Sequence, residues 1–178
     1  ACGVEPDADG KSVLEFIDGK VKFRDVVVEC ETFELMPACL SLAEADVRFA
    51  SKIGRELLLK NALSRGGSLD YDFILIDCPP NLGLLTVNAF AASDEILIPV
   101  QCEFHAMNGL ELVKNTMDLV REGLNPALTL GGIVLTFYDR RKTLNRDVQR
   151  EVRRAYGEAV FESVIRDNVS LAEAPSHG

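Results

Sequence analysis

Tryptophan is absent from this 178-residue chain and aromatic residues make up only 7% of it, so any core it builds is aliphatic. The five cysteines, an odd number at irregular spacing, supply neither a disulfide framework nor a metal-ligand signature. They point to a reduced, cytosolic setting. No run approaches the roughly 20 apolar residues of a membrane-spanning helix, and no secretory signal is visible. The two histidines, His105 and His177, lie far apart with no partnering motif, so no acid–base pair is assigned. There is also no Gly-x-x-x-x-Gly-Lys-Ser/Thr segment, in which backbone amides and a lysine surround phosphates at a helix N-terminus. Gly66-Gly67 is followed by Ser and Leu and reads as a loop between a helix and a strand. No repeat, low-complexity tract or linker divides the chain. Its length suits one domain, and 47% hydrophobic residues suffice for a core.

Residues 73–80, Phe-Ile-Leu-Ile-Asp-Cys-Pro-Pro, are the most informative segment present. Four apolar residues with nothing polar between them predict a strand buried on both faces, as in a parallel sheet covered by helices. Pro79 and Pro80 end it. An aspartate at the carboxyl end of such a strand sits where open α/β sheets bind ligands. Asp77 can hold a Mg²⁺-bound water there, because hard cations prefer oxygen ligands; alternatively it caps the following turn. Gly83 permits the bend into a helix.

Around this segment strand and helix alternate, which predicts an α/β, doubly wound, mostly parallel sheet flanked by helices. Residues 4–10 read as loop, and 12–17 as a short helix capped by Ser12. Residues 26–28 and 33–36 are strand candidates. A helix is expected over 42–64, with Val47, Ala50, Ile53, Leu57 and Leu58 as its inward stripe. Further helices are expected over 84–91, 107–122 and 144–156, and further strands over 95–100, 130–137 and 160–165. In the second of those helices Leu110, Val113, Met117 and Val120 share one side.

Five blocks in order carry a family resemblance: Tyr71 to Pro80, Gly83 to Ala89, Ile98 to Glu103, Leu135 to Asp139, and Leu171 to Gly178. Over roughly residues 33 to 178 the chain resembles the ParA/Soj partitioning ATPases, relatives of MinD among the P-loop NTPases. The resemblance implies a Rossmann-like P-loop fold, incomplete at the N-terminus: a single partial ATPase domain over 1–178, without the phosphate-binding strand and helix and without a final helix. It implies ATP and Mg²⁺ as ligands of the whole protein. Asp77 would then be the Walker B carboxylate facing Mg²⁺ through water, and Pro79, Pro80, Asn81 and Gly83 a switch loop ordered by the γ-phosphate. Many relatives have serine where this chain has Asn81. The adenine side would use Thr136, Tyr138, Asp139, Asn168 and Val169; relatives often read Ile-Pro-Arg-Asn-Val where this chain reads Ile165-Arg166-Asp167-Asn168-Val169. Cys78 and Cys102 read as small buried hydrophobes rather than cluster ligands. Gln101 and Glu103 read as ordinary strand-end polar residues. Lacking the cradle, the chain alone is expected to bind ATP weakly or not at all.

The formal net charge is −9, with pI about 4.8, which at face value opposes nucleic-acid binding. The distribution is uneven. Arg140, Arg141, Lys142, Arg146, Arg150, Arg153 and Arg154 crowd the stretch from 139 to 154, where only Asp139, Asp147 and Glu151 are acidic. At about 100° per residue, Arg146, Arg150, Arg153 and Arg154 share one helical face, and Leu144, Val148, Val152 and Ala155 the opposite, core-facing one. Such a face is either simply solvated or, as the resemblance implies, binds double-stranded DNA without reading sequence; Arg166 is a further candidate. The resemblance also implies an ATP-dependent homodimer, a stimulating ParB-type centromere-binding partner, and a cytoplasmic, nucleoid-associated location. Two other readings stand beside it: a MinD-like division-site ATPase on the membrane, and a P-loop-fold amide ligase of the cobyrinic acid diamide synthase type.

Overall fold

The computed structural model describes Val4, residues 12–65 and residues 70–174. Expectations for residues 5–10, for Gly66-Gly67 and for 175–178 lie outside these. The chain divides into two compact units, Val4–Ala92 and, from Ser93 onward, the remainder.

The first unit is mainly helical. Helix α1 (Val13–Asp18) starts as expected, with the Ser12 hydroxyl accepting the Leu14 amide at 3.2 Å. A two-stranded antiparallel ribbon joins β1 (Val28–Glu29) to β2 (Glu34–Leu35), shorter than the two strand candidates and displaced from the first. The single helix expected over 42–64 is not formed. Instead a 3₁₀ turn (Leu40–Glu44) leads into α2 (Ala45–Arg48), and a second 3₁₀ turn (Arg55–Leu57) leads into α3 (Leu58–Arg65). The break falls at Gly54, whose φ of +67° is left-handed and cannot continue a right-handed helix. The predicted stripe fails with it: Val47 is 83% exposed and Ile53 fully so. The inward residues are Ala45, Phe49, Leu59 and Ala62, which pack with Leu14, Phe16, Ile17 and Val26. Helix α4 (Leu84–Ala92) closes the unit.

The expected strand over 73–77 is the main correction. The segment carries no ladder, and Phe73 and Leu75 are 86% and 87% exposed rather than buried. Ile74 and Ile76 are exposed too. A strand exists only where neighbouring backbone accepts and donates its hydrogen bonds. Among the described residues nothing pairs with this run, so its apolar pattern remains unsatisfied.

The second unit is a three-stranded parallel sheet in the order β3-β4-β5, built from β3 (Glu95–Gln101), β4 (Thr129–Tyr138) and β5 (Val160–Arg166). Helices α5 (Ala106–Gly123) and α6 (Thr143–Tyr156) make the two crossovers, and α7 (Val169–Glu173) follows. Crossovers of one hand set successive helices on the same face of a sheet. Ile96, Ile98, Val100, Ile133, Leu135 and Val160 are buried, together with Leu110, Met117 and Val120 of α5 and Val148 and Val152 of α6. Leu97, Phe161 and Ile165 remain substantially exposed. Leu144 and Ala155, expected in the core, are exposed as well; the inward stripe of α6 is Asn145, Val148 and Val152.

Candidate functional site

Parallel strands present their carboxyl ends at one edge, and there the second unit has a cleft of about 340 Å³ lined by Tyr138, Asp139, Arg140, Arg141, Arg166 and Asp167. Register builds it: Tyr138 pairs with Arg166 across β4 and β5, and the Asp167 amide donates to the Tyr138 carbonyl at 3.4 Å. The Tyr138 hydroxyl donates to Gln149 on α6 at 3.0 Å. Asp139 accepts from the Arg141 guanidinium at 3.0–3.2 Å and from the Arg141 amide at 2.9 Å. The Arg141 contacts hold its carboxyl down to about 2. Arg140 and Arg166 make no ion pair among the described residues, which leaves cationic charge at the cleft mouth.

Of the residues expected on the adenine side, the structure brings Tyr138 and Asp139 into this cleft. Thr136 lies two residues back on β4, opposite Gln101, its carbonyl accepting the Cys102 amide at 3.2 Å. Asn168 instead caps α7, accepting the Ser170 amide at 2.9 Å, and Val169 is 71% exposed.

The basic face is divided in its employment. Arg140, Lys142, Arg146, Arg150 and Arg154 are exposed, with Arg146 bonded to Thr143 and Arg150 paired with Asp147. Arg153 departs from the expected solvent face. Its guanidinium turns to the start of β5 and donates to the carbonyls of Val160, Phe161 and Glu162 at 3.4, 2.9 and 3.2 Å.

In the first unit the loop expected to switch is tightly specified. The Asn81 amide donates to the Pro79 carbonyl at 2.8 Å, and Asn81 Oδ1 accepts the Gly83 amide at 3.0 Å. Thr86 Oγ1 donates to the Asn81 carbonyl at 2.6 Å. A Cβ at Gly83 would come within 2.9 Å of Asn81 Oδ1 and 3.1 Å of Asp46 Oδ2, so only glycine fits without displacement. Pro79 is half-buried and Pro80 exposed. A cavity of about 350 Å³ beside the loop is lined by Asp46, Arg55, Glu56, Leu82, Gly83, Leu84 and Val87.

Asp77 is exposed at the end of the unpaired segment. No group of three or more His, Cys, Asp or Glu capable of holding a metal occurs among the described residues. A lone carboxylate fits a magnesium ion whose other ligands come from a nucleotide and water, not a protein cage. Burial pushes the Cys78 thiol up, helped by the Asp77 charge, and burial alone does the same at Cys102; neither is a poised nucleophile.

Sequence reasoning missed two buried asparagines. Asn88, 2% exposed, donates to the carbonyls of Arg55 (2.8 Å) and Leu84 (2.9 Å) and accepts the Leu59 amide (3.0 Å), tying α4 to the segment before α3. Asn145, 5% exposed, does the corresponding work in the second unit. The signal for Asn145 was its spacing of three and then four residues to Val148 and Val152, the buried stripe of α6.

The α/β architecture, with ligand-sized space at the carboxyl ends of parallel strands, is that of the doubly wound class whose members bind nucleotides there. The family described as an AAA domain matches residues 1–130. The chain is 43% identical over 173 residues to the chromosome-partitioning ATPase Soj of Treponema pallidum, covering 96% of this chain and 68% of that protein. It is 46% identical over 148 residues to the sporulation initiation inhibitor protein Soj of Bacillus subtilis, covering 83% of this chain and 58% of the relative. A crystal structure of cobyrinic acid a,c-diamide synthase from Mycobacterium smegmatis with bound ADP and magnesium superposes with a TM-score of 0.84 at 36% identity, covering 94% of this chain and 68% of that one. This chain therefore belongs to the Soj/ParA family of partitioning ATPases within those AAA domains. It spans between about half and two thirds of these relatives' length.

Proposed function

We propose that the chain is part of an ATP-dependent DNA-segregation switch, in which ATP and Mg²⁺ drive dimerisation, the dimer binds DNA without sequence preference, and a ParB-type partner stimulates hydrolysis. The observation that carries this reading is the junction of a strand-end cleft with an arginine-bearing helix in one compact unit. Tyr138 and Asp139 would hold the base and ribose end of the nucleotide, with Thr136 behind them and Asn168 and Val169 on the far side. Asp77 would hold magnesium through a water, and Pro79, Pro80, Asn81 and Gly83 would form the switch loop. ATP supplies the phosphoryl group whose transfer to water drives the cycle. Arg140, Lys142, Arg146, Arg150, Arg154 and Arg166 offer cations to DNA phosphates, exchanging for condensed counterions. The protein would act in the cytoplasm on the nucleoid.

Because no phosphate cradle is encoded here, the chain by itself should show no micromolar binding of Mg-ATP by calorimetry; a clean micromolar isotherm overturns that part. In the intact protein Mg-ATP should tighten binding to two unrelated duplexes equally. Asp77→Ala should abolish hydrolysis while leaving the melting temperature unchanged. Hydrolysis at the parental rate in that variant would reduce Asp77 to a cap.

A second reading, an amide ligase of the cobyrinic acid diamide synthase type, is favoured by the likeness to the M. smegmatis structure. ATP-dependent amidation of cobyrinic acid by the purified protein, with no nucleotide effect on DNA binding, would select it.

A further inference from the structure

Three observations meet at Asn145. It lies in the first turn of α6, yet it is 5% exposed. Its Nδ2 donates to the Cys102 carbonyl just beyond β3 at 2.5 Å, and its Oδ1 accepts the Asp139 amide just beyond β4 at 2.8 Å. The two partners dictate the orientation of the amide, since a carbonyl can only accept and a backbone N–H only donate. One side chain thus pins the start of α6 to the carboxyl ends of two adjacent strands.

The second observation is Phe137, with φ of +50°. A bulky residue adopts the left-handed region only where its surroundings over-determine it, and such strain gathers at functional sites. Phe137 is 54% exposed, so its own packing does not hold it. Bonds on either side do: Cys102 amide to Thr136 carbonyl, Tyr138 hydroxyl to Gln149, and Asp139 amide to Asn145. The last two run to α6. The third observation is that Tyr138 and Asp139 line the cleft, while the outward face of the same helix carries Arg146, Arg150 and Arg154.

We infer that Asn145 is a positioning residue that couples occupancy of the Tyr138–Asp167 cleft to the presentation of the α6 arginines. The inference rests on the reading of that cleft as a nucleotide seat and of that face as a phosphate-binding surface. A ligand pressing on Tyr138 and Asp139 moves the strained end of β4. Asn145 is buried and cannot exchange its two partners for water, so α6 follows as a rigid body. Without the amide, the cleft and the helix keep the Tyr138–Gln149 bond and the turn in which the Asp139 carbonyl accepts the Lys142 amide at 3.0 Å, neither of which reaches β3.

The test compares the parental protein with Asn145→Ala and Val148→Ala, all as the intact protein. Val148 is the next residue of the same buried stripe, 6% exposed, and touches neither strand-end bond, so it reports loss of packing alone. The readout is the ratio of duplex DNA affinities measured with and without Mg-ATP, below the melting temperature of each variant. Asn145→Ala should retain Mg-ATP binding but lose about fivefold or more of that ratio, the low end of ordinary coupling between sites. Hydrogen exchange should show the Asp139 amide deprotected in this variant only. Val148→Ala should keep the parental ratio despite a lower melting temperature. A parental ratio in Asn145→Ala, or equal losses in both variants, overturns the inference. A parental protein whose DNA affinity ignores Mg-ATP overturns the partitioning reading itself and the coupling with it, whatever the exchange data show. Should Asn145→Ala not fold, Asn145→Ser, whose hydroxyl reaches at most one partner, carries the same expectation.

Discussion

The most strand-like run of the chain and its plainest strand have opposite fates in the two units. In the second unit Glu95–Gln101 alternates exposed and buried residues, pairs with β4 along its length and packs Ile96, Ile98 and Val100 inward. In the first unit Phe73–Ile76 is more hydrophobic and more β-prone, yet among the described residues it has no ladder partner and all four side chains are exposed. Propensity is therefore not what makes a strand. The decisive quantity is whether a second backbone lies alongside at the right spacing, because the ladder, not the side-chain type, satisfies the amides and carbonyls.

The largest expected effect breaks the comparison most directly. Leu135→Ala, fully buried in β4, should lower stability by about 3 kcal/mol through lost transfer energy and a residual cavity. Leu75→Ser, in the uncovered run, should change it by no more than about 0.5 kcal/mol. Urea unfolding of both variants checks this, and a large loss in Leu75→Ser would show that residues 73–77 are paired in solution.

A smaller effect separates the units by their electrostatics. The Asp18 side chain, 8% exposed, meets Lys20, Arg48 and Lys52, and Arg48 also meets Glu15. Burial alone would raise its carboxyl, but hydrogen bonds from Lys52, Lys20 and Arg48 outweigh that and hold it well below 3.8. A depressed folded value means the stabilisation is complete above the unfolded value and drains away as pH falls through 3.8 and below. Asp18→Asn should therefore cost on the order of 2 kcal/mol at neutral pH, between the exposed-pair and buried-pair regimes. The loss should shrink progressively as pH falls below 3.8, without vanishing by pH 2, as melting curves between pH 7 and pH 2 would show; a pH-independent difference would assign it to packing.

The smallest effects sharpen the reading of α6. Arg153→Ala should lower stability by about 1–2 kcal/mol, because it abandons carbonyls at the start of β5. Arg150→Ala and Arg154→Ala should leave stability unchanged and each reduce the log–log salt dependence of DNA binding by about 0.9. Salt titrations with an unchanged slope in both would return that face to plain solvation.

Much of the second unit was legible beforehand because its signals are local and mutually consistent. Residues 95–100, 107–122, 130–137 and 144–156 each became the expected element to within a few residues. Less of the first unit was legible. The break was hidden because glycine is tolerated inside helices, and only the left-handed backbone of Gly54 shows that no continuous helix runs through it. In the candidate sites, Tyr138 and Asp139 were placed through family likeness, whereas Arg153 was misassigned because helical periodicity gives a side chain's direction, not the length over which it can bend back. Asn145 was overlooked because a polar residue on an inward stripe reads as an error in the stripe.

Composition, order of elements and the blocks from Tyr71 to Gly178 were enough, without coordinates, to determine the α/β class, the family and the arginine-rich stretch. These are properties of local pattern, carried by side-chain period and by short contiguous motifs. Which strand is paired, which arginine faces solvent and which asparagine joins α6 to two strand ends were decided by tertiary structure alone. Each depends on a partner distant in sequence: β4 lies 34 residues beyond β3 in its pairing of Glu95 with Thr129, and Cys102 lies 43 residues before Asn145. A hydrogen bond needs its donor and acceptor within about 3 Å, and no local pattern specifies what the fold will bring that close.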